Sequence, residues 1–213
     1  MKIFKSSELS EKLKIRPVNV NKLVHTYNYL PKTKQELCAI IRNRIEKDGN
    51  YCNLNDIDVS EIEDFSFVFS DYEKFNGNVS LWDVSNGNNF EYMFSDCYAF
   101  NCSLDSWNMK KAIFLDSMFY NCHTFNQNLN SWDVSNVESM NYMFANCLEF
   151  NENISSWDVS NVKTMRHMFS NCKKFTQNIS SWNIAYDCNI LLMFDACPLK
   201  TDEYRNHLPK KLQ

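Results

Sequence analysis

The sequence predicts an α/β fold, a single right-handed solenoid of about five and a half short helix/strand units with a helical N-terminal cap. Two observations predict it: a 25-residue repeat, and an apolar spacing in each unit that changes from helical to alternating. All five tryptophans keep this step, at Trp82, Trp107, Trp132, Trp157 and Trp182. A repeat period of about 20–50 residues is typical of solenoids, propellers and other arrays.

Other apolar residues recur at the same step and complete the predicted core. A Met-Phe pair appears once in each unit, and a cysteine follows three residues after its phenylalanine. Besides the tryptophans, the predicted core therefore contains Phe94, Phe119, Phe144, Phe169, Cys97, Cys122, Cys147 and Cys172. With a degenerate first copy that begins at Leu54, the array covers residues 54–197, and residues 198–213 are expected to form a C-terminal cap or tail.

One unit, beginning at Ser135, predicts a short helix and a short strand. Ser135 and Glu138 form an S-x-x-E capping box, which is typical of a helix start, so a helix is expected over 136–146. Its apolar stripe has helical spacing and consists of Val137, Met140, Met143, Phe144 and Cys147. Trp157 and Val159 then alternate with polar neighbours, which indicates a strand with one buried face. This is the layout of a leucine-rich-repeat-type solenoid, because a propeller blade needs four strands and about 40 residues.

The repeat motif F-N-x-x-[LI]-x-x-W-D-V-S-N-V-x-x-M-x-x-M-F-x-x-C resembles the repeat of the BspA-like leucine-rich-repeat family. Residues 125–147 and 150–172 match it almost position for position, and the matching array covers about two thirds of the chain. The resemblance implies a bacterial surface protein or a phage-associated protein that acts in adhesion and binding rather than in catalysis.

The N-terminal part divides into a lead and a helical cap. Residues 1–31 are expected to be either a flexible lead or a docking arm. Residues 32–53 are predicted to form the helical cap, because Thr33 and Glu36 form a second capping box and Gly49 closes the amphipathic helix. Terminal units need such caps because their apolar faces would otherwise meet water.

Composition excludes several classes of function. The formal net charge of -4 argues against a general nucleic-acid binder, and no apolar run is long enough for a membrane-spanning helix. With 3 glycines and 29 asparagines, the chain has no glycine-rich phosphate loop and is expected to use asparagine in tight turns. Residues 1–10 lack the apolar core of a secretory signal, so the sequence alone predicts a cytoplasmic location, whereas the resemblance implies a cell surface or a phage or virus particle.

The repeated cysteines allow two interpretations. Stacked thiols could form a metal or redox ladder, but zinc sites use short paired spacings that are absent here. The cysteines also fall on the apolar stripe with methionine and phenylalanine. We therefore expect small buried hydrophobic residues, with no metal and no cofactor.

A polar row follows the tryptophans and is the candidate binding face. It consists of Asp83, Asn108, Asp133, Asp158 and Asn183, together with Ser131 and Ser156. Such a row could bind calcium or a ligand on a curved face. Alternatively, each aspartate accepts a hydrogen bond from a following backbone N–H in an Asx turn, and this second interpretation is favoured.

The predicted function is non-enzymatic, because no nucleophile–base–acid set is visible in the sequence. The leading prediction is a binding or adhesion module that presents an extended surface to a protein or glycan partner. The alternative is a structural spacer or a virion- or phage-associated protein without a specific ligand, which the near-identity of the units favours. If unit-to-unit differences determine binding, the positions to consider are Lys110, Lys111, Phe114, Arg166 and His167.

Overall fold

The computed structural model describes residues 26–213. The regular elements in this range are helix α1, Lys34–Asp48, and three 3₁₀ helices at Pro198–Lys200, Asp202–His207 and Lys210–Leu212. Between them lies a stack of 25-residue coils built from turns. The prediction of a flexible lead or docking arm falls mainly on residues 1–25, which lie outside the described residues.

Helix α1 begins and ends as its sequence predicts. The Thr33 side chain accepts a hydrogen bond from the backbone N–H of Glu36, at 3.2 Å. At the other end, Gly49 adopts a positive φ of 82° and its N–H donates to the carbonyl of Ile45. Leu37 and Ile41 are fully buried and belong to the same apolar cluster as the coils. This contact places α1 against the first coil.

Successive coils lie in register, one above the other. Single-residue parallel bridges connect positions 25 residues apart, in the series Asp64, Asn89, Phe114, Ser139, Thr164 and Asn189. The indoles repeat at the same step: the ring centroids of Trp132 and Trp157 are 6.4 Å apart, and their planes differ by 3°. Each coil therefore contacts the next through equivalent residues.

The predicted α/β solenoid of helix/strand units is wrong, because the coils contain turns where helices were expected. Over 136–146, the N–H groups of Met143 and Ala145 donate to carbonyls three residues earlier, as in successive turns. The intervening N–H groups of Phe144 and Asn146 donate instead to Met168 and Ser170 in the next coil. After its first turn, an α-helix needs each N–H to donate to the carbonyl four residues earlier in the same helix, and here alternate N–H groups from Met140 to Asn146 donate to the next coil instead.

The predicted strand is also absent. Trp157 and Val159 are buried between exposed or half-buried neighbours, so the alternation of burial is present. However, the N–H of Trp157 donates to Ile154 and the N–H of Val162 donates to Val159, which are turn contacts. Within residues 26–213, parallel pairing between coils is limited to isolated bridges.

Each coil contains two residues with positive φ, four positions apart. In one coil these are Tyr142, with φ 56°, and Asn146, with φ 63°. The second position holds Asp or Asn in five coils, in accordance with the tolerance of these side chains for the left-handed region. Those residues are Asp71, Asp96, Asn121, Asn146 and Asn171. Asparagine thus takes part of the role that glycine has in other turn-rich chains.

The interior holds rows of aromatic rings and thiols. The five indoles of the predicted core are each 3% exposed, and the phenylalanines and cysteines of the predicted core are fully buried. Each indole N–H donates to a carbonyl of the preceding coil; from Trp132 to Leu104 the distance is 3.0 Å. Because buried donors need partners, these bonds fix the register as well as filling the core.

The 3₁₀ helices at the C-terminus cover part of the last coil. The N–H of Ile179 donates to the carbonyl of His207, and Nδ1 of His207 lies 2.8 Å from the carbonyl of Thr176. Leu199 and Leu208 are buried in the same apolar cluster.

Candidate binding surface

The predicted polar row lies on the surface. Asp83, Asn108, Asp133, Asp158 and Asn183 are all exposed. Within the row, Oδ1 of Asp158 accepts a hydrogen bond from the backbone N–H of Ser160 at 3.0 Å, and Asp83, Asn108 and Asp133 make the equivalent contact. These are Asx turns. One oxygen of each of these four side chains is therefore engaged within its own coil.

Hydrogen bonding also favours the ionised form of two carboxylates of this row, Asp133 and Asp158. The hydroxyl and the N–H of Ser135 lower the pKa of Asp133, and hydrogen bonds from Ser160 lower the pKa of Asp158. The negative charge of Asp133 and of Asp158 is therefore supported by hydrogen bonds within its own coil. Over residues 26–213, there is no group of three or more His, Cys, Asp or Glu side chains that could hold a metal ion.

The two serines of the predicted face connect coils. The hydroxyl of Ser131 donates to the carbonyl of Asp105 at 2.9 Å, and that of Ser156 donates to the carbonyl of Asn130. Both residues are exposed. Their hydroxyl protons are used within the stack, so a ligand at this face would find mainly acceptor atoms.

The repeated cysteines have a role beyond that of small apolar residues. Sγ of Cys147 donates to the carbonyl of Phe119 at 3.0 Å, and Cys97, Cys122 and Cys172 make the equivalent contact from their own coils. Burial raises the pKa of the Cys147 thiol well above its ordinary value. A protonated thiol is neither a nucleophile nor a metal ligand, so this geometry favours a structural role.

A second surface row, which the sequence-based prediction missed, consists of aromatic side chains. We define the aromatic row as Phe67, Tyr92, Tyr142 and His167, the residues at the first positive-φ position of their coils. Phe67 is 54% exposed and Tyr92 is 37% exposed, while Tyr142 and His167 are half-buried. Buried Ser117 interrupts the row, and exposed Leu192 occupies the equivalent position in the last coil.

The rings of the aromatic row stack in two pairs. The centroids of Phe67 and Tyr92 are 4.7 Å apart with planes 6° apart, and those of Tyr142 and His167 are 4.7 Å apart with planes 7° apart. Within each pair, one face of each ring is therefore covered by the ring of the adjacent coil. The sequence contained a signal for this row, since an aromatic residue recurs at a polar, variable position where His167 replaces tyrosine.

The two lysines that differ from the repeat consensus border a shallow polar depression. Nζ of Lys111 donates to Oδ1 of Asn86 at 2.6 Å, and the side chain of Asn136 donates to the carbonyl of Lys110. Glu63 and Glu138 line the same depression, which has a volume of about 500 Å³. Its charges are mixed, so it does not select ligands of one sign.

No helix within residues 26–213 is long and apolar enough to cross a membrane. A family model described as "Mycoplasma protein of unknown function, DUF285" matches residues 41–147 and 105–206. No curated protein and no solved structure matches the chain.

Proposed function

Because the chain belongs to the DUF285 family, whose function is unknown, we propose its function from surface geometry: a non-enzymatic module that binds a partner protein. The observation that carries this proposal is the aromatic row. Tyrosine and other aromatic residues are enriched at the centres of protein interfaces, where they bury a large area at a small entropic cost. A stack of coils presents them at regular spacing on an extended surface.

The backbone conformation supports a role for the row beyond packing. Tyr142 adopts a φ of 56°, which is unfavourable for a large side chain, and His167 adopts a φ of 54°, which histidine tolerates better than most residues. Glycine or asparagine would adopt this conformation at a lower cost. Residues in sparsely populated backbone regions often occur at functional sites, and in this row the unfavourable conformation displays exposed rings.

Ring orientation favours a protein over a glycan as the partner. Stacking on a sugar uses the face of an aromatic ring, and in each stacked pair of the row one face of each ring is already covered by the other ring. Ring edges carry partial positive charge and suit carbonyl and carboxylate oxygens. Together with the tyrosine hydroxyls and the imidazole, they suit a surface rich in peptide groups.

A structural spacer is the second candidate, and a specific observation favours it. The polar row that the repeats share uses many of its hydrogen-bonding atoms within the stack, as Asp158 and Ser156 do. A spacer in a virion or phage particle would need rigidity and no variation between coils. The resemblance to BspA-like repeats is compatible with either candidate and stays a prediction.

The test is binding of candidate host surface proteins and of a glycan array to the purified chain. Tyr142→Asn and His167→Asn replace the second stacked pair with a residue that suits positive φ. We expect protein binding to fall at least tenfold in these variants. Tyr186→Asn is the matched control, because this tyrosine is 96% exposed and lies outside the row, and it should bind as the unmodified chain does.

Other outcomes would reject the proposal. Binding to glycans alone would replace the protein partner with a sugar. If no probe binds and the chain co-purifies with a particle, the spacer explanation is correct. If Tyr142→Asn and Tyr186→Asn bind a protein equally well, the aromatic row is not the binding surface.

A further inference from the structure

The coils contact one another with a fixed direction of hydrogen bonding. In each coil, a turn segment, residues 140–146 for example, donates four alternate N–H groups to carbonyls 24 residues later. The same four bonds occur for the turn segments 65–71, 90–96, 115–121 and 165–171. Within these segments, the donors therefore point toward the C-terminal end of the stack, and the matching acceptors point toward the N-terminal end.

Within residues 26–213, the last turn segment, residues 190–196, is followed by no further coil. The N–H groups of Ile190, Leu192, Phe194 and Ala196 occupy the donor positions, but none of them has a hydrogen-bond partner within residues 26–213. The other N–H groups of this segment are used locally, as Met193 donates to Ile190. The segment thus presents four aligned backbone donors at the edge of the stack.

An apolar cavity lies beside these donors. It has a volume of about 330 Å³ and is lined mainly by apolar side chains, with Asp195 and Lys200 at its polar side. The apolar lining residues are Ile190, Leu192, Met193, Phe194, Leu208 and Leu212. Leu192 is 47% exposed. Unpaired backbone donors and an open apolar cavity therefore coincide at one end of the molecule.

We propose that this C-terminal edge is a docking site for a segment of a partner polypeptide that folds into the same successive turns as the acceptor segments of the coils. The carbonyl groups of the segment accept hydrogen bonds from the four edge donors, and one of its apolar side chains fills the cavity. The edge is built of turns, but the division of roles is the one known from strand addition to a sheet edge: backbone bonds give affinity and a pocket gives specificity. The site is separate from the aromatic row and does not depend on the proposed function.

The chemistry of the edge identifies its occupant. At each of the five preceding junctions, four equivalent donors are satisfied by alternate carbonyls of a polypeptide. A second copy cannot supply them with the same edge, because donors would then meet donors. At the opposite edge, α1 lies against the first coil, with Nζ of Lys34 3.1 Å from Oδ2 of Asp64 and with Leu37 and Ile41 buried. A different chain with an acceptor segment of successive turns is the partner that fits.

The test uses the full chain, labelled with ¹⁵N, and a synthetic peptide with the sequence of residues 162–172, in which Cys172 is replaced by serine. This segment is chosen because its carbonyls accept the four donors of residues 140–146. We expect shifted amide signals and slower hydrogen exchange at Ile190, Leu192, Phe194 and Ala196. A peptide of scrambled sequence is expected to shift these signals at least tenfold less at the same concentration.

A matched pair of variants tests the cavity. Leu192→Asn removes an apolar side chain from the cavity and suits the positive φ of this position, so folding should be preserved. Leu191→Asn changes a neighbour of similar exposure, 53%, that does not line the cavity. We expect the first variant to weaken binding of the peptide about tenfold or more and the second to leave it unchanged.

Three results would overturn the proposal. The first is an absence of shifts at the four amides with millimolar peptide. The second is an equal effect of the scrambled peptide or of the two leucine variants. The third is protection of the same four amides by raising the protein concentration alone, which would identify a second copy as the occupant.

Discussion

Replacing Cys147 with alanine is expected to make the stability of the protein less sensitive to alkaline pH. The Cys147 thiol is fully buried and donates to the carbonyl of Phe119, and burial raises its pKa well above the ordinary value of 9.0. In the unfolded chain, the thiol ionises as the pH passes that ordinary value. In the folded chain it stays protonated, so the two states bind different numbers of protons.

The size of the effect follows from this proton difference. Above pH 9, the unfolded state binds one proton fewer at Cys147, so the free energy of unfolding falls by about 1.4 kcal/mol per pH unit for this thiol. The stabilisation is fully present below the unfolded-state pKa and is lost as the pH rises toward the folded-state pKa. Tyrosine, lysine and the other cysteines contribute almost equally to the pH dependence of the unmodified chain and of Cys147→Ala. The difference in stability between these two proteins therefore reports the Cys147 thiol alone.

The assay is urea denaturation of both proteins between pH 7 and pH 10.5, with a reductant present. At pH 7, Cys147→Ala should be less stable by about 1–3 kcal/mol, because the Phe119 carbonyl loses its buried donor. That difference should shrink by about 1.4 kcal/mol per pH unit above pH 9.5. Ser131→Ala, which removes an exposed hydroxyl, should show a pH-independent difference. Parallel stability curves for the unmodified chain and Cys147→Ala would refute the reasoning.

Three further predictions concern the core, the turns and the surface. Trp132→Phe should lower the free energy of unfolding, measured by urea denaturation, by about 1–3 kcal/mol, because the Leu104 carbonyl loses its indole donor. Trp132→Ala should lower it by about 3–5 kcal/mol. A Trp132→Phe variant as stable as the unmodified chain would contradict this prediction. Asn146→Ala should unfold at a lower temperature than Asn146→Gly, and its free energy of unfolding should be lower by about 1–2 kcal/mol, because residue 146 adopts a φ of 63°. Equal thermal midpoints would show that the positive φ of this residue does not affect stability. Lys163→Ala should lower the free energy of unfolding by less than about 1 kcal/mol, since its ion pair with Glu138 is exposed. A larger loss in the same urea denaturation would contradict the description of this ion pair as an exposed surface contact.

The sequence predicted which side chains face the interior, but not how the backbone runs between them. Met140, Met143 and Phe144 are buried, as the helical spacing of the stripe requires. Successive turns place side chains at almost the same spacing, so the spacing does not distinguish them from a helix. A helix and a series of turns differ in the acceptor of the Phe144 N–H, which here is the carbonyl of Met168, 24 residues later in the chain. No local sequence pattern predicts this acceptor, because it depends on how the coils stack.

The surface was less predictable than the interior for a related reason. The Asx-turn interpretation of Asp158 needed only its own neighbours in sequence, and the structure shows that contact. The aromatic row needed knowledge of φ at Tyr142 and His167, which sets their direction and their stacking. In the sequence, their repeat position was only a variable one, with tyrosine at Tyr92 and Tyr142 and histidine at His167. Only the register of the coils brings them together.

The strict register also determines how such a chain can change in length. Equivalent residues meet at a spacing of 25, so an insertion or deletion of another size would bring an indole opposite a turn residue of the adjacent coil. Recombination between two near-identical coils would instead add or remove one complete layer and leave both ends of the molecule as they are. Natural relatives can therefore differ in reach by whole layers while keeping the same surfaces at either end.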